Sequence, residues 1–251
     1  MGQTQQAERQ IATGPNSHGF IETLPAGYGK DTTKHYPLMI FLAGEGQLGT
    51  DLSVMEKTGP PQIVAAGQWP DSFTVKGKSF SFIVITPQFT QWPSDADVDS
   101  VVRYSLAHYR VDTGRIYMTG LSMGGGAVWS YASSSEHAGM LAAILPISGG
   151  QMWSGRAGAQ AIAQNNLAVF GCSNRWDPQV NDTTLIHNIN LINSVEPHCN
   201  PLAMDTIYPD SGHDAWTQTY YCGLNMYKGL NCYQWLLQFT RNKDEMVPPI
   251  D

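Results

Sequence analysis

The sequence predicts an α/β fold, with one mainly parallel central sheet carrying helices on both faces. Three observations lead there. Short apolar or β-branched runs alternate along the chain with segments of helical periodicity. Strands separated by helices return by right-handed crossovers, which leaves them parallel and covers both faces of the sheet. The 251 residues contain no internal repeat, low-complexity tract or interdomain linker, so a single domain is expected.

Taken in order, residues 1–18 read as an N-terminal extension and 19–251 as the domain, which opens with FIETL (20–24) as an antiparallel edge strand. PLMIFLAG (37–44) is a buried-strand run ending in glycine, and FSFIVITP (80–87) is another, ended by Pro87. DADVDSVVRYSLAHY (95–109) sets Val98, Val101, Val102, Leu106 and Tyr109 on one helical face, with acidic residues in the first turn where the helix dipole favours them. RIYMTGLS (115–122) reads as a strand and GGGAVWSYAS as the start of a helix. LAAILPIS (141–148) and LAVFG (167–171) are further strands. The helix across 180–195 turns Leu185, Ile186, Ile189 and Ile192 inward. MDTIYP (204–209) is the last strand and CYQWLLQF (232–239) the closing helix. The stretch from 148 to 167 is too short for a cap domain, so an open cleft is expected at the carboxyl ends of the strands.

Composition narrows the function. With 42% hydrophobic and 14% charged residues, the chain can bury a large core and has little capacity for solvated disordered arms. The net charge is -7 and the 14 Lys and Arg are scattered, so neither nucleic acid nor an anionic membrane surface is an expected partner. No apolar window reaches the roughly 18 to 20 residues of a membrane span. The start, MGQTQQAERQ, lacks the apolar core of a signal peptide, which fits either a cytoplasmic protein or one whose leader has been removed. Cys172, Cys199, Cys222 and Cys232 all lie late in the chain; the even count suggests disulfides and a secreted or periplasmic location, with buried free thiols as the open alternative.

The chemistry concentrates at Gly120-Leu121-Ser122-Met123-Gly124, a G-x-S-x-G pattern between a predicted strand and a predicted helix. That turn places a serine hydroxyl at the sheet edge and needs glycines where Cβ atoms would collide. A serine nucleophile requires a base and an orienting acid, in the chain order Ser, acid, His. His213 follows the last strand in a glycine-containing loop and is the predicted base, whereas His187 lies inside a helix and His198 at its far end. Asp177 follows the preceding strand and is the predicted acid; its rival Asp182 sits in the first turn of a helix, where a carboxylate is often only a cap. The backbone N–H groups of Met123 and Glu45 are the predicted oxyanion donors. Trp92, Trp153, Trp176 and Trp216 fall in loops after strands and are candidate substrate contacts.

These segments carry a resemblance. YPLMIFLAGEGQLGTDL, GPPQIVAAG, FIVITPQ, VDTGRIYMTGLSMGG, LPISGG, YPDSGHDAW and the closing YQWLL resemble the α/β-hydrolase esterases related to polyhydroxybutyrate depolymerases and feruloyl esterases, over roughly residues 20 to 239. Such proteins are often labelled phospholipase/carboxylesterase or prolyl-oligopeptidase-family hydrolases. The resemblance implies an α/β-hydrolase fold without a large cap domain and serine ester hydrolysis with no metal and no organic cofactor. The four tryptophans and the uncapped cleft point to a bulky, polyester or polysaccharide-linked, plant-polymer-derived ester of feruloyl or acetyl type as the expected substrate. Two departures stand out. The family's usual His-Gly pair after the first central strand is Ala43-Gly44 here, which implies a less steadied oxyanion loop and lowered activity. The segment from Cys222 to Cys232 is longer than the family's usual run, and a bridge between these two cysteines would pin it near the site. A peptidase of the same fold, and a weakened hydrolase kept as a binding protein, are the alternatives.

Overall fold

Strand β3 (Tyr36–Leu42) shows how the domain is layered, because every one of its residues is buried. Leu38, Ile40 and Leu42 enter one hydrophobic core while Met39 and Phe41 enter another, as the period-two alternation of a strand requires. β7 (Val111–Leu121) divides in the same way, with Ile116 and Met118 on the first face and Tyr117 and Leu121 on the second. An unbroken apolar run is therefore a strand covered twice. The structure, a computed structural model, describes residues 4–150, 152 and 154–242.

Around β3 and β7 the main sheet runs in the order β1 (Gln5–Arg9), β2 (Ser17–Leu24), β6 (Ile83–Phe89), β3, β7, β8 (Ala143–Ile147), β9 (Ala168–Trp176) and β10 (Met204–Ser211). From β6 to β10 each neighbour is parallel, β2 is antiparallel to β6, and β1 is antiparallel to β2. The first core receives α2 (Asp95–His108), α3 (Met123–Ala132), α4 (Ser135–Met140), α5 (Gly155–Gln164) and α6 (Asp182–Asn193). The second lies beneath α7 (Trp216–Tyr220), α8 (Cys232–Leu236) and the hairpin of β4 (Phe73–Val75) and β5 (Lys78–Phe80). Its centre is aromatic: Tyr233 packs against Trp69 and Phe73 with ring centroids 4.8 and 4.9 Å apart. α1 (Gly59–Ala65) adjoins this face. α2 begins with a capping box in which Ser94 and Asp97 satisfy each other's backbone N–H groups, and it buries Val98, Val101 and Val102.

Several elements differ from expectation. The strand at 20–24 is not an edge, because residues of the expected N-terminal extension form β1 and pair outside it, Arg9 facing Phe20. A buried carboxylate holds that edge: Glu22 accepts from Arg9 at 2.6 Å and from the Tyr109 hydroxyl at 2.5 Å. Pro87 does not end its strand, since β6 continues to Phe89; its ladder with β3 has already stopped at Ile85, so the missing N–H is tolerated. The disulfides suggested by the even cysteine count, a Cys222–Cys232 bridge among them, are not formed, and all four cysteines are free thiols. The loop is closed instead by an amide: Asn231, which caps α8, donates its side-chain N–H to the carbonyl of Cys222 at 2.8 Å. Burial pushes the thiol of Cys172 up to about 12 and those of Cys199 and Cys222 up to about 11, which keeps them protonated and unreactive at neutral pH.

The last described turn is fastened by Arg241, whose guanidinium donates to the carbonyls of Ala138, Leu141 and Asn165 while its backbone N–H donates to Gly114. Three acceptors at once fix the C-terminal segment across the C-terminal ends of α4 and α5. Arg241→Ala is expected to cost about 2 kcal/mol, because charged donors contribute more than neutral ones and their partners are left unpaired. In a domain of this size that lowers the thermal midpoint by roughly 4 to 8 °C, read by calorimetry, without change at the sheet's other edge.

Candidate active site

Parallel register brings one set of loops together. Leu42 lies beside Gly120, Leu121 beside Ile147, and Ile147 beside Cys172, so the segments following β3, β7, β8 and β9 leave the sheet along one edge. β10 joins them through Tyr208, which pairs with Asn174. Glu45, Ser122, Asp177 and His213 each follow one of these strand ends.

Ser122 occupies a backbone conformation that side-chain-bearing residues rarely adopt, φ 53° and ψ -118°, between the end of β7 and the first residue of α3. The two glycines of the motif are required by contact. A Cβ on Gly124 would stand 1.9 Å from the carbonyl oxygen of Leu42, and one on Gly120 would stand 2.6 Å from the backbone of Gly124. With only hydrogen there, the first turn of α3 settles directly on the end of β3.

Ser122 Oγ and His213 Nε2 are 2.7 Å apart, and His213 Nδ1 is 2.7 Å from Asp177 Oδ2. The other oxygen of Asp177 accepts the backbone N–H groups of Gln179 and Val180 at 2.8 and 3.0 Å, so the carboxylate cannot swing away. Its side chain has no exposed surface, and that of His213 is 10% exposed, which keeps water from competing for this bond. A carboxylate only accepts, so it assigns the proton of the neutral imidazole to Nδ1 and leaves the lone pair of Nε2 facing the serine hydroxyl. The rival acid is committed elsewhere: Asp182, the first residue of α6, pairs with Arg175 at 2.6 Å. His187 lies within α6, and His198 pairs with Glu196 at 2.9 Å.

The two expected oxyanion donors each begin a helical turn, Met123 in α3 and Glu45 in a 3-10 turn at Glu45–Gln47, and first-turn N–H groups have no partner within their own helix. Gly44 lets the second turn lie against the first, since a Cβ there would come 2.8 Å from Leu121 and 3.6 Å from the Cβ of Ser122. Sequence reasoning missed what steadies this loop. The buried amide of Gln88 donates to the carbonyls of Gln47 and Asp51 at 3.0 and 2.9 Å, so the loop is braced from β6 although Ala43 carries no ring. The only trace in the sequence is a polar residue ending an apolar strand run.

A cavity of about 290 Å³ opens beside Ser122, walled by Trp92, Met123, Gly126, Ala127 and Val180. Trp92 is 60% exposed and donates its indole N–H to the Glu45 carboxylate at 3.2 Å, which ties the cavity wall to the 3-10 turn. Trp216 stands edge-on to the His213 ring at 5.1 Å. Trp176 is 63% exposed and lies outside this cavity's lining; Trp153 falls outside the described residues.

No family model and no curated protein matches the chain. Solved structures do. A thermostable esterase superposes with a TM-score of 0.64 at 20% identity, over 95% of this chain, and this chain spans only 63% of that protein's length. The feruloyl esterase module from Clostridium thermocellum, a serine mutant complexed with sinapinate, gives 0.57 at 17% identity over 84% of this chain and 82% of the module. An acylaminoacyl peptidase gives 0.53 at 8% identity over 84% of this chain and 37% of the peptidase. The chain has the α/β-hydrolase fold, with the parallel sheet and helical layers expected from its sequence.

Gly124→Ala tests the contact that seats Ser122. The added methyl meets backbone rather than a flexible side chain, so about 3 kcal/mol of destabilisation is expected, with a lower denaturation midpoint. Gly126→Ala, whose Cβ would meet no atom outside its own helix closer than 3.8 Å, is expected to leave the midpoint unchanged or raise it slightly, because alanine favours the helix.

Proposed function

We propose that the protein is a serine hydrolase that cleaves carboxylic esters through an acyl-enzyme intermediate. The observation that supports this best is the unbroken chain Ser122, His213, Asp177, with both links at 2.7 Å. In the first half-reaction Ser122 Oγ attacks the ester carbonyl while its proton passes to His213 Nε2. Asp177 holds the imidazole in the required tautomer and stabilises the cation that forms. The negative oxygen of the tetrahedral intermediate is received by the N–H groups of Met123 and Glu45, with the positive end of α3 behind them. His213 then returns the proton to the departing alcohol. Water repeats the sequence, its proton going to His213 and its oxygen to the acyl carbon, which releases the acid and restores Ser122.

The cavity favours a bulky ester. Its walls are chiefly apolar, and Trp92 presents a large flat surface beside the serine, which suits an aromatic acyl group, a sugar ring or a polyester segment. Feruloyl esterase and thermostable esterase neighbours fit the same reading. Peptide cleavage would use the same three residues, and the peptidase neighbour keeps that reading second.

Labelling with a fluorophosphonate is expected to modify wild-type protein at Ser122, and Ser122→Ala and His213→Ala to lose labelling and at least about 1,000-fold in ester turnover. Folded wild-type protein that takes up no label would point to a binding protein instead. Trp92→Ala is expected to raise KM for aryl and other bulky esters about 3- to 10-fold while leaving acetyl esters nearly unchanged, as measured on a panel of acetyl, butyryl, feruloyl and glucuronoyl esters.

A further inference from the structure

The loop that carries His213 has little packing of its own. Gly212 has φ 90° and no atom near the position of a Cβ, Asp214 is exposed, and beyond the last ladder pair of β10, Ser211 with Trp176, the Gly212 N–H reaches the carbonyl of Trp176 at 3.4 Å. Yet the imidazole must be held against Ser122. Two buried side chains from other strands hold the carbonyls on either side of it. Ser148, at the tip of β8 and 1% exposed, donates its hydroxyl to the carbonyl of His213 at 3.1 Å. Asn174, in β9 and also 1% exposed, donates its amide to the carbonyl of Gly212 at 3.0 Å and accepts from Gln218 of α7 at 3.3 Å. The other bond to the His213 carbonyl, from the N–H of Ala215, lies within the loop and cannot tie it to the frame.

Ser148 also belongs to the segment that seats the nucleophile. The carbonyl of Ile147, the residue before it, accepts the backbone N–H of Ser122 at 2.9 Å, and the N–H of Ser148 reaches Cys172 of β9 at 2.8 Å. On the far side Gly149 approaches the backbone of Gly125 so closely that a Cβ would come within 2.5 Å. One peptide therefore touches the serine turn, and the next side chain holds the histidine loop. Ser148 has φ 44°, a conformation better suited to glycine, and is the residue present there nonetheless.

We propose that Ser148 and Asn174 are positioning residues that set the height of the His213 imidazole over Ser122, with the tip of β8 as the common reference for nucleophile and base. This rests on the hydrolase reading above. Displacing a reacting group by about 1 Å can cost on the order of 100-fold in rate without weakening ground-state binding. Ser148→Gly removes the hydroxyl while relieving the left-handed backbone, so it is the cleaner test. It is expected to lower kcat about 10- to 100-fold, to change KM less than about 2-fold, and to slow fluorophosphonate labelling of Ser122 by the same factor as kcat. Asn174→Ala should act in the same direction, and Asn174→Asp more strongly, because it turns an acceptor towards the carbonyl of Gly212. The Asn174 variants decide the matter if Ser148→Gly does not fold. Wild-type rates of turnover and labelling in the folded variants would overturn the proposal, as would losses confined to KM or to thermal stability. Failure of the wild-type protein itself to take the label would instead remove the hydrolase reading.

Discussion

The contact on which the site depends is between backbones: the first turn of α3 rests on the carbonyl end of β3, with no room for a Cβ at Gly124 or Gly120. That approach sets the serine turn, with its positive φ, at the sheet edge. It also sets the first-turn N–H groups of α3, which have no partner within the helix, next to Ser122. Gly44 extends the same logic to the neighbouring strand, bringing a second helical turn beside the first. A packed core would keep helix and sheet about a side chain apart; glycine removes that spacing where α3 meets the ends of β3 and β8.

Around this contact the polar groups form a graded series. Asp177 is sealed from solvent and satisfied by two backbone donors and the imidazole, whereas Ser122 borders the open cavity. The Asp177 carboxylate can therefore keep the His213 imidazole oriented in a low-dielectric setting while the Ser122 hydroxyl stays accessible. Asp182 shows the contrast five residues later in the chain. Facing Arg175 at the start of α6, it serves the helix and its ion pair rather than the cleft. Rigidity comes from the two apolar cores on either side of the sheet, so that loops rooted in five adjacent strands keep their spacing. The buried cysteines belong to this packing, and a hydrogen bond from the Asn231 amide closes the loop where sulfur was expected.

Much of this was legible in the chain itself. The apolar runs of β3 and β8 and the periodicity of α2 read directly, because burial on both faces and on one helical stripe leave distinct patterns. Ser122, Asp177 and His213 stood out because a strained turn demands glycines and because their chain order matches that of the strands. The short hairpin of β4 and β5, the pairing of β1 and the continuation of β6 through Pro87 did not, since each depends on which strand lies alongside and not on local composition.

By itself, then, the sequence determined which residue types could perform acyl chemistry and on which kind of scaffold, because periodicity and turn sterics are local properties. Tertiary structure alone decided that Gln88 braces the Glu45 turn, that Trp92 walls a cavity while Trp176 does not, and that Ser148 and Asn174 grip the histidine loop. These are hydrogen bonds and contacts between residues some 38 to 65 positions apart in the chain, made between separate elements, and nothing in a local run of residues records its distant partner.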